Sequence, residues 1–243
     1  VETAAGRVGY LLELHGNGSD GFRHVDGWGG TTGFELFEPM IKLSFEPDTA
    51  LKQRIEFKAG HTSFEADESY AGLTEVDLER DPDRRYAATR FDNIDTAHYR
   101  TYLKWIAEPS DGVRLESAAY YGYFKRNWYK LDKVAGVAGL RRSLHNILAP
   151  SDPFPTELAV LQGTAAGEID VKANNRSYSS YGWQNQANFR CETGPLSHDL
   201  AAGLRIHYDY QERAHWNDTY TADGAGGFVL SGRTLAGQDN RLE

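Results

Sequence analysis

The sequence predicts an all-β protein in which about seven long strands follow one another as an antiparallel meander. The first observation is an alternation of apolar and polar residues with period 2, sustained over roughly 11 to 24 residues in each of seven segments. The second is the order of the connections, because tight turns and long polar loops take turns along the chain. The third is that no run of 18 or more apolar residues occurs, which excludes a transmembrane helix.

Each of the seven segments places apolar side chains on one side of a strand and polar side chains on the other. In the second segment, for example, Ile41 and Leu43 alternate with Lys42 and Ser44. The predicted strands cover residues 7–17, 34–46, 53–65, 95–107, 113–131, 169–192 and 199–216.

The connections between these strands are of two kinds. Three are tight turns rich in Pro, Gly, Asp and Ser, at residues 46–49, 108–112 and 193–197. The others are long polar loops, at residues 18–33, 66–94, 132–168 and 217–243. Two short helices are predicted within the loops. They cover residues 73–80, with Thr74 as the N-cap, and residues 138–149, ending before Pro150.

The length of the predicted strands points to a membrane. Globular strands commonly have five or six residues, whereas a strand that spans a bilayer needs about 9 to 11. The polar side of each strand is charged and rich in Gln and Asn, which a wide aqueous lumen tolerates. Together with the two kinds of connection, this predicts part of a transmembrane β-barrel in a bacterial outer membrane, with periplasmic turns and extracellular loops. A soluble secreted β-sandwich that binds carbohydrate or protein is the alternative.

Composition narrows the possible partners. The formal net charge is −9, which argues against a nucleic-acid partner because phosphate binding requires a basic face. The 14 Tyr and 5 Trp residues suit the aromatic girdles of a membrane barrel. The single cysteine, Cys191, cannot form an internal disulfide.

Motifs for catalysis and metal binding are missing from the sequence. None of the common catalytic motifs occurs, so we predict a protein that is not an enzyme, with no catalytic residues and no cofactor. A hydrolytic outer-membrane enzyme is a third interpretation, and it would need a nucleophile beside a base. His207 and His215 lie on the same side of one predicted strand, about 26 Å apart at the strand rise. That separation is too large for a shared ion, and we predict no metal site.

Several short strings, in a fixed order along the chain, carry a resemblance to a known family. They are GYLLE at 9–13, GSDGF at 18–22, SYAGLT at 69–74, DPDRRYAA at 81–88 and RNWYKLD at 126–132. Together they resemble the barrel of TonB-dependent outer-membrane receptors, in particular the branch of ferric dicitrate and other siderophore receptors. The similarity extends over essentially the whole chain.

The resemblance implies a 22-stranded barrel that encloses an N-terminal plug domain. Such a receptor binds a ferric siderophore or a similar small ligand at its outer face, and imports it with energy from the TonB complex. The plug and the first and last strands are absent from this chain. We therefore expect residues 1–243 to be one partial barrel domain, an internal fragment of a longer protein in contact with outer-membrane lipid. In the whole receptor, the TonB complex would act through the absent plug.

The resemblance also implies an anionic ligand, because iron chelates of this family usually carry negative charge. Arginine forks and tyrosine hydroxyl groups suit carboxylates and hydroxamates. The candidate ligand-binding residues are Arg84, Arg85, Tyr86 and Arg90 in one loop, and Arg126, Trp128 and Tyr129 at the outer end of the fifth strand. The alternative is a structural role, in which these residues fix the loop to the rim or form an interfacial aromatic belt.

Overall fold

One antiparallel sheet of long strands makes up most of this computed structural model, which describes residues 2–3, 6–137, 139–150 and 154–238. The strands are β1 (Glu2–Thr3), β2 (Gly6–Ser19), β3 (His24–Val25), β4 (Phe34–Pro47), β5 (Lys52–Ala66), β6 (Arg84–Arg85), β7 (Asn93–Ser110), β8 (Val113–Gly136), β9 (Arg141–Ser143), β10 (Ala166–Thr193), β11 (Leu196–Asp223) and β12 (Phe228–Gln238). The prediction of an all-β protein with long antiparallel strands is confirmed.

The strands follow the order β1-β2-β4-β5-β7-β8-β10-β11-β12 across the sheet, with β9 added to the far end of β8. Among the described residues, β1 and β12 are the two edges and the sheet does not close on itself. A separate parallel pair joins β3 to β6. The helices are α1 (Glu75–Arg80), α2 (Leu144–Ile147), α3 (Pro155–Leu161) and a 3-10 helix (Ala87–Phe91). Within the described ranges, no helix has the length and apolar composition needed to cross a membrane.

Three tight connections lie at the same end of the strands, which we name the turn end. They are residues 48–51, 111–112 and 194–195. The last two are shorter than predicted because the strands extend further into the turns. Gly112 has φ 77°, and a Cβ at this position would lie 2.6 Å from the carbonyl oxygen of Arg190. Only glycine fits there. The tight turn that it allows fixes the register of β7 against β8 and lets the turn pack closely against Arg190 of β10.

The opposite end of the strands, which we name the loop end, differs from the sequence prediction. Within the predicted loop 132–168, β8 continues to Gly136 and β10 already begins at Ala166. The predicted loop 217–243 is wrong for 217–223 and 228–238, since β11 continues to Asp223 and the chain returns as β12. The Asp223 carboxylate accepts hydrogen bonds from the amides of Ala225 and Gly227 and thereby closes this four-residue turn. Tight turns and long loops therefore do not alternate to the end of the chain. Residues 239–243 lie outside the described residues.

The helices of the loop end were predicted in part. Thr74 caps α1, its hydroxyl accepting a hydrogen bond from the amide of Asp77, so the first helix is confirmed. The predicted helix 138–149 is wrong except for α2, because residues 141–143 pair with β8 as strand β9. Ala138 lies outside the described residues. Helix α3, which begins at Pro155, was not predicted.

The two faces of the sheet differ in chemistry. One face carries a band of exposed apolar side chains across seven strands, which we name the apolar band. Its central row consists of Tyr10, Leu43, Phe57, Leu103, Ala119, Trp183 and Ile206. The neighbouring row on the other side, the polar face, consists of Gly9, Ser44, Glu56, Lys104, Ala118, Gln184 and Arg205.

The buried core of the protein lies at the loop end. Beyond the apolar band, the ends of β8, β10 and β11 continue to place apolar side chains on the same face, and the loop helices pack on them. The central buried residues are Tyr86, Leu131, Val134, Ile147, Val160, Leu161, Ile169 and Val171. We name this cluster the loop core. It fixes the loops relative to the strand ends and thereby the surroundings of the polar face at the loop end.

Candidate functional site

The first group of predicted ligand contacts lies in the segment that follows α1, and comprises Arg84, Arg85, Tyr86 and Arg90. Arg84 forms ion pairs with Asp26 (2.9 Å) and Asp77 (2.7 Å). Burial disfavours its charge, but the hydrogen bond and charge of Asp26 outweigh burial and raise the pKa of Arg84. The pairing of β3 with β6 adds backbone hydrogen bonds at the same place. Arg84 therefore joins the loop after β2 to the loop after β5.

Arg85 and Tyr86 are buried, with 4% and 1% of their surface exposed. Arg85 donates to the backbone oxygens of Asp67 and Thr89, and burial lowers the pKa of its guanidinium. The Tyr86 hydroxyl donates to Asp77 Oδ2 (2.7 Å) and accepts from the Thr74 amide, and burial raises its pKa. Both side chains are thus bonded to other residues of the loops, and Tyr86 belongs to the loop core.

Arg90 packs at the edge of the loop core. Its Nε donates to the carbonyl oxygen of Ala87 (2.9 Å), and its guanidinium lies 5.0 Å from the centroid of the Phe228 ring. In the described arrangement all four residues of this group hold the loops in place. Direct contact between them and a ligand stays a prediction.

The second predicted group, at the end of β8, divides between the two faces. Tyr129 faces the loop core, where its hydroxyl donates to Asp218 Oδ2 (2.7 Å) and lies 3.0 Å from the Tyr220 hydroxyl. Burial and these two neighbours raise the pKa of Tyr129. Arg126 and Trp128 lie on the polar face, because residues of even number in this stretch of β8 share that side.

The strand register brings Arg126 together with two further arginines. Arg126 pairs with Arg176 of β10, and Arg176 pairs with Arg213 of β11. Adjacent strands lie about 4.8 Å apart, so the three guanidinium groups stem from one row across three neighbouring strands. We name Arg126, Arg176 and Arg213 the arginine row.

More cations follow towards the loop end on the same face. The next row contains Trp128, Asn174 and His215, and the row after it contains Lys130, Lys172 and Asn217. The shift in register between β8 and β10 lies beyond these rows, at Asp170 and Val171, so it does not disturb them. The face thus presents five permanent cations and one histidine over three strands.

These cations lack anionic partners within the described residues. No carboxylate lies within 4.0 Å of Arg126, Lys172, Arg176 or Arg213 in the described ranges. Eleven buried polar side-chain atoms in the described residues have no hydrogen-bond partner, and six of them belong to this region of the polar face. They are Arg126 Nε, Trp128 Nε1, Gln211 Nε2, Arg213 Nε, His215 Nε2 and Asn217 Oδ1.

The electrostatics of the region agree with this geometry. Burial lowers the pKa of His215, and the charges of Arg176, Lys172, Arg213 and Arg126 lower it further. Burial also lowers the pKa of Lys130; the charge of Asp132 opposes this and that of Lys172 reinforces it. The lowered pKa values of His215 and Lys130 therefore both reflect the surplus of positive charge on this face.

Aromatic rings flank the arginine row on both sides. Towards the turn end, Phe124 lies 5.5 Å from His98 and 5.8 Å from Tyr178, measured between ring centroids. Towards the loop end, Lys130 Nζ lies 4.4 Å from the centroid of the Trp128 ring. The row therefore lies between flat apolar surfaces and close to buried hydrogen-bond donors, an arrangement that suits a small anionic group.

Sequence reasoning found Arg126 and Trp128 but missed Arg176, Arg213 and the residues around them. The signal that could have found them is the spacing of Lys172, Asn174 and Arg176 on one side of β10. It becomes informative only when the two-residue turn at 194–195 sets Arg176 opposite Arg213.

Within the described ranges, no group of three or more His, Cys, Asp and Glu side chains could hold a metal ion. His207 Nδ1 and the Tyr120 hydroxyl instead share a hydrogen bond (2.7 Å). Compared with known proteins, the chain matches no family model, and no curated protein is significantly similar to it.

Proposed function

We propose that the chain is part of the wall of an outer-membrane β-barrel, in a TonB-dependent receptor that takes up ferric siderophores or similar chelates. The observation that carries the proposal is the apolar band. Large apolar side chains are exposed there, with Leu103 at 54% and Ile206 at 61%. A sheet in water does not usually leave so large an apolar surface uncovered, whereas lipid covers it at no cost.

The dimensions of the band fit a bilayer. On β11 its apolar residues run from Leu200 to Tyr210, and ten steps of about 3.3 Å give about 33 Å along the strand. With a strand tilt of about 40°, this corresponds to a height of about 25 Å, as in outer-membrane barrels. The next row towards the loop end is polar and consists of Lys125, Ser177 and Glu212.

Aromatic residues mark the edge of the band at the loop end. Tyr99 and Tyr123 lie side by side there, with 6.3 Å between ring centroids, and Tyr210 belongs to the same row. Tyrosine suits the interface between lipid tails and water, because its ring is apolar and its hydroxyl is hydrated. A β-sandwich would instead cover the apolar face with a second sheet, about 10 Å away. The described residues form no such second sheet.

The proposal extends to a ligand and an energy source through the resemblance described above. Arg126 and Trp128 on the polar face are its best supported ligand contacts, since the polar face would line the lumen. Import driven by the TonB complex and location in a bacterial outer membrane are parts of the same proposal.

Site-directed spin labelling tests the proposed orientation. Cys191 is exposed and is first replaced (Cys191→Ser), and single cysteines are then introduced as Leu103→Cys and Lys104→Cys, which are adjacent on opposite faces. We expect the label at position 103 to be accessible to oxygen, which enters lipid, and not to a water-soluble nickel chelate. The label at position 104 should be more accessible to the nickel chelate than to oxygen, or accessible to neither. Free access of the nickel chelate to position 103 in the intact, membrane-embedded protein would exclude the barrel.

A further inference from the structure

We propose that the polar face at the loop end binds a small ligand with at least two oxyanion groups, held between the guanidinium groups of the arginine row. The inference names the ligand class and the contacts of the proposed receptor, and in that respect it rests on the proposed function. Its support is local to three strands of the sheet, so it can be tested separately.

The first argument is the placement of the arginines. Three strands present one arginine each at the same level, on the same face, with Lys130 and Lys172 paired four residues further along the strands. A guanidinium group binds a carboxylate or a phosphate with two parallel hydrogen bonds. Adjacent guanidinium groups can therefore hold two oxyanion groups of one ligand, which a single arginine could not do.

The second argument is that the described residues place no carboxylate within ion-pairing distance of the arginine row. Glu212 neighbours Arg213 in sequence but lies on the opposite face. Asp209 lies on the polar face four residues away, and its carboxylate is 3.4 Å from His207 Nε2. Asp92 lies near Lys130, yet its oxygens accept from the backbone amides of Leu131 and Tyr70. Assembling like charges without counter-charges costs free energy, which an anionic ligand would recover.

The third argument is the buried donors. Arg126 Nε, Trp128 Nε1 and Arg213 Nε are inaccessible to solvent and lack hydrogen-bond partners in the described residues. Buried donors are nearly always bonded in folded proteins, so unbonded donors concentrated in one place show that this part of the face does not satisfy its own hydrogen bonds. Oxyanion groups supply several acceptors at once. The Phe124 and Tyr178 rings beside the row provide flat apolar surface for the remainder of the ligand.

Equilibrium binding to the intact purified protein tests the inference, with citrate and pyrophosphate as probes. Arg213→Gln removes one member of the row, and we expect it to weaken binding about tenfold or more, the usual effect of losing a charge-assisted hydrogen bond. Lys125→Gln is the matched control, because Lys125 is adjacent to Arg126 in sequence but is exposed on the opposite face. Like Arg213→Gln, it removes one positive charge. We expect it to change the affinity less than twofold, because salt screens the long-range effect of this charge on the ligand.

The outcomes separate the possibilities. Preference for citrate indicates a carboxylate ligand, preference for pyrophosphate indicates a phosphate ligand, and tight binding of either supports the inference. If neither probe binds, or if Lys125→Gln weakens binding as much as Arg213→Gln, the inference is wrong. Spin labels at positions 103 and 104 report on the barrel independently. Anion binding with a water-accessible apolar band would reject the proposed function and retain this site.

Discussion

The two ends of the polar face differ in the partners of their cations. At the turn end, cations and carboxylates of neighbouring strands form ion pairs. Lys42 Nζ lies 3.5 Å from Glu56, Arg7 lies 3.2 Å from Glu46, and further pairs join Arg114 to Glu108 and Glu116. At the loop end, the arginine row has no carboxylate within ion-pairing distance among the described residues.

The difference shows which part of the face is arranged for stability and which for binding. An ion-paired face satisfies its own charges and presents little to an external ligand. A face with unpaired cations and unbonded donors is less stable on its own and is complementary to a ligand of opposite charge. Each experiment below changes one charge and compares the response of the two ends.

The largest effect is expected at the turn end, from Glu56→Gln. The side chain of Glu56 is 9% exposed and lies between Lys42 (3.5 Å) and Arg54 (2.8 Å), although the Arg54 Nε–H is not aligned for a hydrogen bond. Removing the carboxylate charge leaves Lys42 without a counter-charge and leaves Arg54 with only the more distant Glu46, at 3.7 Å. We expect the free energy of unfolding to fall by about 2.5 kcal/mol, below the range for breaking a fully buried pair, because Lys42 and Arg54 are themselves 35% and 42% exposed.

Chemical denaturation of the intact protein measures this loss. Glu212→Gln is the control, because Glu212 is exposed on the opposite face and has one long hydrogen bond, 3.4 Å from Ser177 Oγ. We expect it to change the free energy of unfolding by less than about 0.5 kcal/mol. Equal losses for the two variants would mean that the turn-end ion pairs do not stabilise the protein more than any exposed carboxylate.

A second effect is expected at the loop end, from the buried carboxylate Asp92. Burial raises its pKa to about 6, and the hydrogen bonds from Leu131 and Tyr70 and the charge of Arg85 oppose this without overcoming it. The native protein therefore takes up a proton at higher pH than the unfolded chain does. As the pH rises from about 4 to about 6, the free energy of unfolding falls by about 2 kcal/mol, and above that range it levels off.

Asp92→Asn should remove this part of the pH dependence, which denaturation of the intact protein between pH 4 and pH 8 detects. Asp83→Asn, an exposed substitution in the same loop, should leave it unchanged. A wild-type profile that Asp92→Asn does not alter would show that nearby cations such as Arg85 neutralise Asp92. The loop end would then resemble the turn end more closely than its geometry indicates.

The sequence predicted the strands well and the loop end poorly, for physical reasons. Seven strands were predictable because alternation with period 2 persists over many residues, as in the segment with Ile41 and Leu43. Strand β12 was missed because its eleven residues are rich in Gly and small polar side chains, and its position depends on pairing with β11. The loop core brings together segments far apart in sequence, such as those that contain Tyr86, Ile147 and Val171.

The candidate site shows the same limit. Arg126 and Trp128 were found because they stand in a compact string, whereas Arg176 and Arg213 lie 37 residues apart. They become neighbours only through a two-residue turn 17 residues from each of them, and a one-residue shift would place them on opposite faces. Conversely, Arg84, Arg85 and Tyr86 looked available for binding in the sequence. Their burial and their bonds to Asp26, Asp67 and Asp77 are properties of the folded loops.

The smallest effect, and the most direct test of the comparison, is expected from Arg126→Gln. Because Arg126 lies beside Arg176 without a counter-charge, neutralising it relieves repulsion, and we expect the free energy of unfolding to rise by about 0.5 kcal/mol at low ionic strength. Raising the salt concentration should abolish the gain, since salt screens the repulsion in the wild type. Lys125→Gln, on the opposite face, should produce no gain. If Arg126→Gln instead lowers the free energy of unfolding by 1 kcal/mol or more, its guanidinium stabilises the fold as the turn-end cations do, and the contrast between the two ends does not hold.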